Sequence, residues 1–146
     1  MKRSGWLTTG LLAGAALACG DTTGVSTDSL VGTWNATKFE FSNPANSAQK
    51  ADLVALGGSF TLTIAASGSY TATFQEPGGA AETVTGTISV QGDTLTVSES
   101  GQGSPTRFRA SRSGNTLTLD SSDEEFDFDD NGTEEPARLV IVLVKQ

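Results

Sequence analysis

The chain has 146 residues and a mass of 15.0 kDa, with 9 Lys and Arg against 17 Asp and Glu and no histidine. That length suits one ordinary domain and no more. With no histidine and a single cysteine, the usual proton shuttle, a cysteine-based metal cluster and an internal disulfide are all ruled out, and 17 glycines disfavour a helical bundle.

Lys2 and Arg3 precede an apolar run from Leu7 to Ala18 that is too short to span a bilayer, the pattern of a signal peptide over residues 1–18. Ala16-Leu17-Ala18 then runs directly into Cys19, which leaves two readings. Ordinary cleavage would expose a thiol without a partner in the chain. The favoured reading is a lipobox, which this stretch resembles although Ala16 stands where that motif usually has Leu. The resemblance implies a diacylglyceryl group on Cys19, a bacterial cell-envelope location and a membrane anchor. Gly20 in the next position implies sorting to the outer membrane, facing the periplasm or the exterior. Loss of Lys2 and Arg3 leaves seven bases against seventeen acids, a net −10, which excludes nucleic acid as a partner. Residues 19–29 read as the lipidated cysteine followed by a small, polar, flexible tether, and residues 30–146 as the domain.

From Val31 onward, eight runs alternate apolar and polar residues: Val31 to Phe41, Ser59 to Ala66, Ser69 to Gln75, Glu82 to Val90, Thr94 to Glu99, Thr106 to Arg112, Thr116 to Asp120 and Arg138 to Lys145. Period-two alternation is the mark of half-buried strands. The last run, LVIVLV, is apolar on both faces and calls for cover on each. Tight turns at Ser67-Gly68, Gly92-Asp93 and Ser113-Gly114-Asn115 alternate with four longer connections. In an up-and-down meander this parity places every tight turn at one end and every long loop at the other. The expected fold is therefore all-β, an eight-stranded antiparallel barrel, with a two-sheet Greek-key sandwich as the alternative.

Gly32-Thr33-Trp34 at the head of the first run is similar to the Gly-x-Trp that opens the lipocalin barrel, and the resemblance covers residues 30–146. It implies that Trp34 packs across the closed end beside a basic residue of the last strand, for which Lys145 is the candidate. It also implies a small apolar or amphiphilic ligand inside the barrel, held by inward residues such as Phe60, Leu62, Tyr70, Phe74, Ile88 and Phe108. The other reading is a barrel packed with its own side chains, acting as a structural or interaction protein through its rim loops. In the first long connection, a short helix capped by Ser47 and ended at Gly57 would turn Leu53, Val54 and Leu56 to the mouth, as a lid or as a plug.

Nine of the seventeen acids lie between Asp120 and Glu135. Asp127, Asp129, Asn131, Thr133 (through its carbonyl) and Glu135, with Gly132 at the sixth position, match the spacing of a structural Ca2+ loop. Arg138 stands where the bidentate glutamate belongs, so the competing reading is a metal-free acidic hairpin with Phe126 and Phe128 inward and Asp127 and Asp129 outward. No other cofactor is expected. Ser and Thr nucleophiles have no histidine base, and Lys38, Lys50 and Lys145 sit in no recognisable motif, so an enzyme is not expected.

Overall fold

The computed structural model describes residues 24–146. The signal-peptide and Cys19 readings lie outside the described residues, as does the start of the tether. A single-turn helix α1 (Thr27–Leu30) is followed by nine strands: β1 (Gly32–Asn43), β2 (Asn46–Asp52), β3 (Ser59–Ile64), β4 (Ser69–Gln75), β5 (Ala81–Gln91), β6 (Thr94–Glu99), β7 (Thr106–Ser113), β8 (Thr116–Phe126) and β9 (Glu135–Lys145). Consecutive strands from β3 to β9 pair antiparallel, and β1 pairs with both β3 and β9, which closes an eight-stranded up-and-down barrel. β2 is the ninth strand and lies outside the closed ring, paired with β1 alone.

Turn parity sorts the connections as the spacing requires. Residues 65–68, 92–93 and 114–115 close one end, the base, while 44–58, 76–80, 100–105 and 127–134 surround the other, the mouth. The inward set follows the apolar alternation: Leu62, Ile64, Tyr70, Ala72, Ile88, Leu95, Leu117, Leu119, Leu139, Ile141 and Leu143 are buried in one core. Of the last strand's other face, Val140, Val142 and Val144 are only half-buried.

Two bulges break the period. Ala36 pairs with Leu143 and Phe39 with Ile141, so β1 spends two residues, Thr37 and Lys38, where β9 spends one. The alternation slips by one, and Phe39 and Phe41 join Trp34 and Ala36 on the inside. In β8, Ser121 pairs with Leu139 and Glu124 with Ala137, so Ser122 and Asp123 oppose Arg138 alone and Glu124 and Phe126 face inward. Both bulges flank β9, that of β1 opposite Val142 and that of β8 opposite Arg138.

The structure corrects three expectations. Residues 47–56 do not form a helix: β2 occupies most of that span, and only one turn follows, with Leu56 N–H donating to Asp52 O and Gly57 N–H to Val54 O. The cause is β1, which pairs with β3 only as far as Asn35 and leaves the rest of that edge unpaired. β2 satisfies it, and the Asp52 carboxylate accepts the N–H of Phe39, Val54 and Ala55, so the tertiary demand for hydrogen bonds overrides the helical propensity of Ser47-Ala-Gln-Lys. Leu56 is 64% exposed and caps nothing. The described part of the tether is folded: Ser26 and Ser29 cap α1 reciprocally, and Val25 and Leu30 are buried beneath the barrel. Finally, β8 runs on past Asp120 to Phe126, because the acidic residues continue the ladder opposite Glu135 to Ala137.

Candidate functional site

At the base, Trp34 is 0% exposed and its Nε1–H donates to the Leu30 carbonyl at 2.8 Å. Lys145 lies over the indole at 5.5 Å from its centroid, as the resemblance implies, and Arg112 lies at 5.8 Å as a second cation. Arg112 also donates to the carbonyls of Ser29 and Gly114, which ties α1 to the last tight turn. It was not singled out in the sequence, although its even-numbered place after Phe108 and Ala110 puts it on the inward face. Gly32 sits at φ +130°, and a Cβ there would lie 2.8 Å from Lys145 Cε, so the glycine makes room for the lysine stem over the tryptophan.

The barrel interior holds a cavity of about 220 Å³ that reaches from Tyr70, Ile88 and Leu95, beside the base turns, to Glu124 near the mouth. Phe60, Leu62, Tyr70, Ile88 and Phe108 line it, five of the six residues expected from the alternation. Phe74, the sixth, packs instead on Phe39 at 5.3 Å between ring centroids. Phe39, Leu95, Leu119, Leu139 and Ile141 complete much of the apolar wall. The wall is incomplete beside β5: Val84 points in beside Ala72 yet is 37% exposed, because the pairing of β6 with β5 reaches only Gly86. A Cβ on Gly86 would collide first with the Ser98 carbonyl oxygen and would lie 2.8 Å from Tyr70 Cε1, so the glycine admits both the neighbouring strand and the tyrosine ring. Burial, with Glu99 second, raises the Tyr70 pKa above its ordinary value.

A chain of phenylalanines crosses the mouth. Phe39 meets Phe60 and Phe41 at 5.4 and 5.7 Å, Phe41 stacks on Phe126 at 4.5 Å, and Phe126 meets Phe128 edge-on at 5.0 Å. Among the described residues, Glu124 is the one charged residue in the cavity lining, and its Oε1 accepts from the Ser121 hydroxyl at 3.0 Å. It also lines a polar cleft with Asp123, Glu125 and Glu134 on the outer rim.

In the acidic connection one carboxylate oxygen from each of Asp127, Asp129 and Glu135 lies within 4.8 Å of the others. These oxygens also organise the turn. Asp127 accepts the N–H of Asp129, Asn131 and Gly132, and Glu135 accepts that of Phe128. Asn131 Oδ1 accepts the Thr133 N–H at 2.8 Å, so the side chain expected as a fifth-position ligand is engaged in its own turn. For Asp127, desolvation pushes upward but the N–H donors of Gly132 and Asn131 outweigh it, and the pKa falls below the usual aspartate value. Phe126 points inward on Phe41, and the three carboxylates converge on the outer side of this hydrogen-bonded turn. On the outer wall, Arg138 hydrogen-bonds the Asp120 carboxylate and lowers its pKa, with burial opposing.

No protein-family model matches the chain, and no curated protein matches it. Among solved structures it is similar to a lipocalin-like protein from Bacteroides uniformis, at 15% identity and TM-score 0.48, covering 80% of this chain and 98% of that one. It is similar to the same degree to an uncharacterized protein from Bacteroides eggerthii, at 14% identity and TM-score 0.48, covering 80% and 99%.

Proposed function

We propose that this chain is a lipid-anchored envelope protein whose lipocalin-like barrel binds a small apolar or amphiphilic molecule. The observation that carries the binding role is the cavity of about 220 Å³. An apolar cavity of about 150 Å³ already takes a benzene-sized guest, while drug-sized ligands need roughly 300 Å³ or more. The fit is to a compact apolar group, either a whole small molecule or one end of a longer one. Burying that group in a preformed apolar wall supplies the affinity, and the opening at Val84 supplies a way in.

The anchor reading rests on Lys2, Arg3, the apolar run and Cys19. The folded domain begins at the base, where Val25 and α1 pack, and five residue steps from Cys19 to Gly24 span at most about 18 Å. A lipid on Cys19 would hold the base against the membrane and turn the mouth away. The role is binding, and no catalytic step is assigned to any residue.

Two measurements test these halves separately. A non-denaturing mass spectrum of gently purified protein should carry the added mass of a small lipid-like molecule, and Leu139→Trp, which places an indole in the cavity, should lose it. If both proteins carry the same adduct, the molecule is bound elsewhere and the cavity reading fails. Metabolic labelling with a fatty acid should mark the parent and not Cys19→Ser; equal labelling would dismiss the anchor.

A further inference from the structure

We propose that Glu124 selects the ligand's head group, and that the barrel takes small hydrophobic amines or ammonium compounds with the cation on Glu124 and the apolar body in the cavity. The inference rests on the cavity reading and adds to it the sign of the charge.

The β8 bulge places Glu124 where it is. Without the extra residue in Ser122-Asp123, the position opposite Ala137, which is fully buried, would belong to Asp123, and Glu124 would point to solvent. Glu124 is thereby brought to a chamber whose lining, among the described residues, is otherwise uncharged and largely apolar, at its border with the polar rim cleft. Its hydrogen-bond partner is the neutral hydroxyl of Ser121, itself buried. Among the described residues no lysine or arginine forms an ion pair with Glu124: Arg138 is committed to Asp120 and Lys38 to Glu40, while Arg112 and Lys145 lie on Trp34 at the far end. A carboxylate bordering low-dielectric space gains most from a cation brought to it.

The surroundings favour the same sign. Phe39, Phe60 and Phe108 share the cavity with Glu124, and aromatic faces attract ammonium groups that have shed water. The outer cleft that Glu124 also lines carries Asp123, Glu125 and Glu134, so the approach to the mouth attracts cations and repels anions. A fatty-acid-like anion would meet that field and then place its own charge beside Glu124.

Isothermal titration calorimetry on the full chain with three probes of matched size tests this: phenyltrimethylammonium, its uncharged isostere tert-butylbenzene, and 4-methylbenzoate. The expected order is cation tightest, neutral weaker, anion not detectable. Glu124→Gln should cut the cation's affinity by about tenfold, the scale of one partly desolvated charge contact, and leave the neutral probe within about twofold. If tert-butylbenzene binds as tightly as the cation, or if Glu124→Gln leaves the cation's affinity unchanged, the head-group inference is overturned while the cavity reading stands. If none of the three binds, the cavity reading itself falls and this inference with it.

Discussion

The two ends of the barrel are built from the same alternating strands and reach opposite results. At the base, the tight turns draw the strands together over Leu30, Trp34, Leu117 and Leu143, all fully buried, and two cations sit on the indole. Towards the mouth, long loops replace the tight turns, the large side chains are partly buried phenylalanines, and a cavity remains in the interior between the two ends. The base stores stability and the mouth spends some of it on a binding surface, a division expected where function needs exposed apolar area.

The base should therefore dominate stability. Trp34→Ala removes a buried indole and its hydrogen bond to Leu30 and should cost about 3–5 kcal/mol in urea unfolding, enough to unfold a marginal domain. Phe39→Ala at the mouth should cost about half that, because its ring is partly exposed, yet should weaken ligand binding. A larger loss for Phe39→Ala than for Trp34→Ala would reverse the comparison. Leu139→Trp should be tolerated within about 1 kcal/mol, since the indole enters empty space rather than a filled core, where overpacking typically costs 1–3 kcal/mol.

Smaller effects belong to the charged wall. Asp120 has its pKa lowered by Arg138, so its contribution is present above the ordinary value of 3.8 and disappears as the pH falls through the lower folded value. The pair is partly exposed, so Asp120→Asn should cost less than about 1 kcal/mol at pH 7, and variant and parent should converge in acid unfolding below pH 3.8. A difference that persists at low pH would mean the carboxylate acts through something other than its charge. Smallest of all, Asp127→Ala should speed amide exchange at Asn131 and Gly132, whose N–H groups it accepts, with the base unchanged. Exchange at these amides in the parent should be the same with calcium and with chelator, because hydrogen bonds within the turn hold it.

How much of this was legible in the sequence depended on where the period of two survived. Phe60, Leu62, Tyr70, Ile88 and Phe108 lie on unbroken alternation and were assigned inward correctly. Phe39 and Glu124 lie just past bulges, where the same rule points them outward, and no local residue choice such as a glycine marks either slip. The helix expected over residues 47–56 had good local propensity, but the need to pair the exposed edge of β1 lies in residues remote from it. Val25 sits alone among small polar residues, so composition alone made a tether of it. Loop parity, by contrast, is a property of the whole chain, and it located the base and the mouth before any contact was known.

The most direct test of a binding cavity above a sealed base uses the chain's three isoleucines, Ile64, Ile88 and Ile141. Ile88 and Ile141 line the cavity, while Ile64 is buried outside its lining. With isoleucine methyl groups labelled in the full chain, titration with toluene should move the NMR signals of Ile88 and Ile141 to a saturable limit and leave Ile64 in place. Three unmoved signals at saturating toluene, or three that move together, would contradict the account.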